Sequence, residues 1–224
     1  MSRSISRRQF LKASGLAAAS ACAAGLLSSC GSSKSDSGAS AGGMDTSKYT
    51  ILYSSQPATL NYLTTATDLE MVVGANCVDT LVEYDNKGVM REGLATQWDW
   101  DADSLTWTFT LREENWVDNN GEVVAPVTAQ DFVDALKYVL TPDYASSNAG
   151  LVTAYVAGAE DYYDYYVYLN NANTGVVDDD GTTYTADDAG TVTVTAPDGT
   201  ASTYAPVDFD TVGVKAVDDH TLTY

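Results

Sequence analysis

Apolar and polar residues alternate with period two from Trp98 to Arg112, broken only by Asp101-Ala102-Asp103-Ser104. That pattern predicts two short strands and a turn, with Leu105, Trp107, Phe109 and Leu111 on one face over a core. Thr128-Ala129-Gln130-Asp131 changes the period to that of a helix. Thr128 caps it, Asp131 suits its positive end, Phe132, Ala135, Leu136, Val139 and Leu140 form one stripe, and Thr141-Pro142-Asp143 stops it.

Weaker patterns fill the rest. Tyr49 to Tyr53 reads as a buried strand ended by Ser54-Ser55-Gln56-Pro57. Leu69 to Tyr84, apolar at 69, 72, 73, 77, 78, 81 and 82, predicts a helix leading into a short strand. Leu151 to about Leu169 predicts a second helix, whose spacing scatters Tyr162, Tyr163, Tyr165, Tyr166 and Tyr168 around its surface rather than onto one stacking face. From Asn170 to Pro206 the composition shifts to Asp, Thr, Gly and Val. There Thr191–Thr195 and Thr200–Tyr204 flank a Pro197-Asp198-Gly199 turn, an inserted acidic hairpin.

The first thirty residues have a different logic. Ser6-Arg7-Arg8-Gln9-Phe10-Leu11-Lys12, then an uncharged stretch from Ala13 to Leu27, has the layout of a twin-arginine signal peptide carrying Arg7 and Arg8. Signals of the general export route also carry Arg pairs. As a helix, those fifteen uncharged residues would reach only about 22 Å at ~1.5 Å per residue, short of a ~30 Å hydrocarbon core. Leu27-Ser28-Ser29-Cys30-Gly31 resembles a bacterial lipobox, which makes Cys30 the lipid-attachment site and mature N-terminus. Acyl chains contributing about 0.8 kcal/mol per buried methylene would hold it on a bilayer. From Gly31 to about Ser47 the Ser/Gly-rich sequence reads as a flexible tether, with a reach on the order of 20–25 Å.

Charge and cysteine use narrow the classes. Beyond the signal, seven basic residues face thirty-one acidic ones, a formal charge of −24, which repels nucleic acid and anionic headgroups. Cys22 leaves with the signal and Cys30 is acylated. Cys77, among small and apolar residues, remains as a buried, inert thiol with no partner for an internal disulfide. Asp99, Asp101 and Asp103 have the spacing of a calcium loop, but Ser104 and Thr110 stand where such a loop needs Gly and Glu, so they read as a solvated turn. There is no Gly-x-Ser-x-Gly elbow, His-Glu-x-x-His, paired-cysteine metal site or phosphate-cradling glycine loop. Asp178-Asp179 fits a solvated hairpin better than an acid–base pair, and His220, the single histidine, fits a structural place in a turn. These residues supply no cofactor site, no metal site and no catalytic residue.

A series of motifs then runs in order along the chain. They are Pro57-Ala58-Thr59-Leu60-Asn61, Leu81-Val82-Glu83-Tyr84-Asp85, Gly93-Leu94-Ala95-Thr96-Gln97-Trp98, Leu105-Thr106-Trp107-Thr108-Phe109-Thr110-Leu111-Arg112, Trp116, Val127-Thr128-Ala129-Gln130-Asp131-Phe132-Val133, and Val212 through Leu222. Together they resemble the oligopeptide- and dipeptide-binding proteins of ABC importers, solute-binding protein family 5, over Tyr49 to Tyr224 apart from the acidic insertion.

The resemblance implies an α/β, periplasmic-binding-protein-like two-lobed fold of the class with an extra domain, of which only the amino-terminal part is present. On that frame the segments are the signal peptide (1–29), the lipidated Cys30 and tether (30–47), and a first segment of lobe I (48–80). A small α/β domain follows (81–206, with the acidic hairpin at about 170–206), then a truncated strand returning to lobe I (207–224). It further implies a monomer, anchored outside the cytoplasm by its lipid, that captures a peptide ligand and hands it to an ABC transporter permease. Some family members set an acidic residue against the peptide in the loop after Pro57–Asn61. The matching stretch here is Thr64-Thr65-Ala66-Thr67, so Thr65, Ala66 and Thr67 are the expected ligand contacts. Binding of a small solute such as a nickel chelate, or a surface adhesin without transport, stays open beside the peptide reading.

Overall fold

A computed structural model of the chain describes Leu52 and residues 54–224. The signal with Arg7 and Arg8, Cys30, the tether, and the expected strand at Tyr49–Tyr53 apart from Leu52 lie outside the described residues.

The organising element is a four-stranded antiparallel sheet. The alternating segment forms β3 (Ala95–Asp101) and β4 (Thr106–Leu111), paired with Trp98 opposite Phe109 and Trp100 opposite Trp107. β10 (Lys215–Asp218) and β11 (Thr221–Thr223) add a second hairpin beside β4, in the order β10-β11-β4-β3, with Leu222 opposite Phe109. Period two therefore puts Ala95, Phe109, Leu111, Ala216 and Leu222 against the core. Leu105 does not share that face. It takes the left-handed turn position, φ +53°, and is 71% exposed, because the tight connection after Asp101 needs a positive φ there.

The helix α2 (Ala129–Val139) covers the sheet with Ala129 and Val133 buried and Phe132 and Leu136 packed beside them, and Leu140 is fully buried just beyond its end. At its start the Asp131 carboxylate accepts from the Thr128 N–H (2.7 Å) and hydroxyl (3.2 Å), satisfying an amide that the helix leaves unpaired. Pro142–Tyr144 form one 3-10 turn, after which Ala145 is left-handed.

Two expected elements come out differently. The long helix from Leu151 is two: α3 (Ala149–Tyr155) and α4 (Ala159–Thr174). Val156 is extended and Gly158 left-handed at φ +71°, and a Cβ on Gly158 would lie 2.5 Å from the Thr211 carbonyl oxygen, so close packing against that strand connection breaks the helix. The tyrosines of α4 are not scattered over its surface. Tyr162 and Tyr165 are buried, and Tyr163 and Tyr166 pack on the core. Tyr168 meets Tyr184 and Tyr204 of the acidic insertion. That insertion has three strands rather than two, β7 (Thr183–Ala186), β8 (Val192–Thr195) and β9 (Ala201–Tyr204), and it starts only after α4 ends at Thr174.

Smaller pieces complete the unit. α1 (Asp68–Gly74) is two turns long and ends well before the periodic stretch from Leu69 to Tyr84 does. β1 (Val82–Tyr84) pairs with β2 (Met90–Glu92), and β5 (Asn115–Val117) with β6 (Val123–Pro126). Cys77 is exposed, correcting its expected burial: α1 ends at Gly74, before the cysteine is reached. Asp101 Oδ1 accepts the Asp103 N–H at 2.9 Å, as a turn carboxylate does, and no His/Cys/Asp/Glu group among the described residues could hold a metal ion. His220 sits in the β10–β11 turn, its N–H donating to Asp218 Oδ1 at 2.9 Å. None of the described helices is long and apolar enough to cross a membrane.

Candidate functional site

The expected ligand contacts fall in one loop between Pro57-Ala58-Thr59-Leu60-Asn61 and α1. Its first half is a self-contained turn. Asn61 N–H donates to Thr59 Oγ1 (3.0 Å), Asn61 Oδ1 accepts the Leu63 N–H (3.2 Å), and Asn61 O accepts the Thr64 N–H (3.1 Å). Asn61 Nδ2 donates to the Tyr138 hydroxyl at 2.9 Å, and Tyr138 stacks on Tyr144 with ring centres 3.9 Å apart. Asn61 thus anchors the turn to α2 and the 3-10 turn behind it. Burial pushes the Tyr62 hydroxyl pKa up.

The second half is held by Ser146, Ser147 and Asn148, some eighty residues away in sequence. Ser146 Oγ donates to Leu63 O (2.6 Å), Ser147 N–H to Thr64 O (3.0 Å), and Asn148 Nδ2 lies 2.9 Å from Thr65 O. Thr65 is buried, and its hydroxyl accepts the Thr67 N–H (3.3 Å) and meets Thr67 Oγ1 at 3.2 Å. Thr67 is extended (φ −88°, ψ 141°) and caps α1, its carbonyl accepting the Met71 N–H.

The three expected contacts therefore separate into different roles. Thr65 faces inward and is consumed by the loop's own bonding. Thr67 is exposed but has its backbone N–H and C=O both engaged. Ala66 is exposed and, alone in the run 60–67, has neither its N–H nor its C=O paired among the described residues. An exposed backbone donor and acceptor left unpaired beside the extended Thr67 is what an added peptide strand pairs with.

Beneath the loop, Glu70 of α1 is 5% exposed and its Oε1 accepts the Ala58 N–H at 2.7 Å. Arg112 joins neighbouring segments, meeting Asp79 (3.2 Å), Glu114 (3.3 Å) and the Gly93 carbonyl. The motif before it marks the loop in the sequence, but nothing there marks the roles of Asn61, Ser146, Asn148 and Glu70. Ser146-Ser147-Asn148 after a Pro-containing turn carried only a loop signal, and nothing local tells a bracing asparagine from a solvated one.

The profile of the bacterial extracellular solute-binding proteins, family 5, matches residues 89–224, and that of the TAT (twin-arginine translocation) pathway signal sequence matches residues 4–27. The chain is 35% identical over 200 residues to the oligopeptide-binding protein AliB of Streptococcus pneumoniae, covering 89% of this chain and 23% of that protein. It is 32% identical over 210 residues to the oligopeptide-binding protein SarA of Streptococcus gordonii, covering 93% and 26%. Among solved structures it resembles the Escherichia coli murein tripeptide binding protein MppA, with a TM-score of 0.50 and 27% identity over 75% of this chain and 24% of that one. An oligopeptide-binding protein of Borrelia burgdorferi, at a TM-score of 0.50 and 21% identity over 75% of this chain and 25% of that one, shares the fold. The chain spans about a quarter of the length of the curated relatives it matches.

Proposed function

This chain belongs to the bacterial extracellular solute-binding proteins of family 5, and on that premise we propose that it captures extracellular peptides for delivery to an ABC transporter permease. The signal match and the family make it an exported, extracytoplasmic protein. The observation that carries the peptide reading is the unpaired, exposed main chain of Ala66 on a loop whose other carbonyls are already engaged. Main-chain pairing gives affinity without selecting side chains, so a broad range of peptides follows. The oligopeptide-binding relatives support that ligand class. Thr65 serves by fixing the loop, Ala66 by pairing with the ligand, and Thr67 by tying the loop to α1. The protein binds as a monomer and breaks no bond.

Cys30 carries the lipid anchor in this reading, and Arg7 with Arg8 directs export. Replacing Cys30 with Ala should move the protein from the membrane fraction into the medium or periplasm. Retention of the variant in the membrane would remove the anchor from the account. Peptide capture is tested on the protein isolated from its cells, warmed with and without mixed peptides. Ligand at one hundred times Kd stabilises by about 2.7 kcal/mol, an upward shift of a few degrees. No shift with any peptide pool would overturn the binding role.

A further inference from the structure

Every carbonyl from Leu60 to Thr65 is already taken. Leu60 O accepts from the Tyr62 N–H and Asn61 O from Thr64. The rest turn toward the segment 146–148, and three of them meet one side chain: Asn148 Nδ2 lies 3.2 Å from Tyr62 O, 3.3 Å from Leu63 O and 2.9 Å from Thr65 O. An amide nitrogen with two hydrogens shared among three acceptors fixes the direction in which each peptide plane faces.

Asn148 is itself held rigidly. Its N–H donates to Ser146 Oγ (3.2 Å), the same hydroxyl that donates to Leu63 O. Its carbonyl accepts from Leu151 (3.0 Å) and Val152 (3.3 Å) at the start of α3. The clamp is thus fixed to a helix and reaches across to the loop. With the planes on its N-terminal side facing inward and Thr67 bound to α1 on the other side, the Ala66 peptide groups are left facing outward.

We infer that Asn148 is the positioning residue of the ligand loop, setting the main chain of Ala66 for peptide pairing without touching the peptide. This rests on the peptide reading of the site. The side chain pre-orders a segment that would otherwise have to be ordered on binding, and that entropy would come out of the affinity.

Two variants separate donation from space-filling. Asn148→Asp keeps the shape but offers no N–H, and Asn148→Ala removes both. Hydrogen exchange on the full chain should show faster exchange at the paired loop amides of Tyr62, Leu63, Thr64 and Thr67 in both variants, with β3 and β4 protected as before. Affinity for a panel of peptides differing in side chains should fall about tenfold in both, and by the same factor for every peptide, because only the backbone contact is disturbed. Unchanged exchange in Asn148→Asp would overturn the clamp. So would a loss that depends on peptide sequence, which would make Asn148 a side-chain contact. If the unaltered protein bound no peptide, the proposed function would fall, and the exchange result would still decide whether Asn148 orders the loop.

Discussion

Glu70 Oε1 accepts the Ala58 N–H at 2.7 Å, and this one bond joins α1 to the segment that leads into the ligand loop. The carboxylate is nearly inaccessible and its Oε2 has no partner among the described residues. Glu70→Ala leaves the Ala58 amide without an acceptor, a cost of about 1–3 kcal/mol. Glu70→Gln keeps an acceptor oxygen and should retain most of the stability. Urea denaturation of the two variants checks the order, and equal midpoints would show that the bond contributes nothing.

The same residue shows where the sequence could and could not be read. Period two identified β3 and β4 because a sheet with one buried face writes its packing directly into alternate positions. In α1 the period pointed to Leu69, Val72 and Val73, yet Val72 is 45% exposed and Glu70 is buried. In a two-turn helix the need of a distant backbone amide outweighs hydrophobic ordering, and that need is invisible until the chain has folded. The break between α3 and α4 was hidden for the same reason, since Gly158 answers to Thr211, more than fifty residues later. Of the ligand loop, its position followed from the motif before it. The roles of Asn61, Ser146 and Asn148 came from contacts spanning about eighty residues.

Gly158 gives a second prediction. It is left-handed and its Cα faces the Thr211 carbonyl, whereas a Cβ added to Gly199, also left-handed at φ +84°, would meet nothing within 4 Å. Gly199→Ala should cost about 1–2 kcal/mol for the backbone conformation alone. Gly158→Ala must also displace the Thr211 backbone and should cost clearly more, read as a larger drop in the denaturation midpoint. Equal effects would mean that the 156–158 break is not held by that contact.

Alkaline pH tests the tyrosine packing of α4. Burial, with Tyr166 and Asp208 adding to it, pushes the Tyr162 hydroxyl up to about 12. Burial also raises Tyr165 and Tyr168. In the unfolded chain these groups ionise near pH 10, so the stability tied to the neutral hydroxyls is complete below that pH and is lost as pH rises toward 12. Tyr162→Phe should make the fall between pH 10 and 12 shallower without changing the slope below pH 9. An unchanged profile would place the Tyr162 hydroxyl in contact with water in solution.

Main-chain pairing at Ala66 is tested most directly by calorimetric titration of the isolated protein with one bound peptide, its side-chain variants, and a series carrying a single N-methyl group at each successive amide. The account predicts that the side-chain variants bind within a few-fold of one another and that N-methylation at one or two backbone positions abolishes binding. N-methylated peptides that all bind as well as the parent, beside strong dependence on side chains, would contradict it.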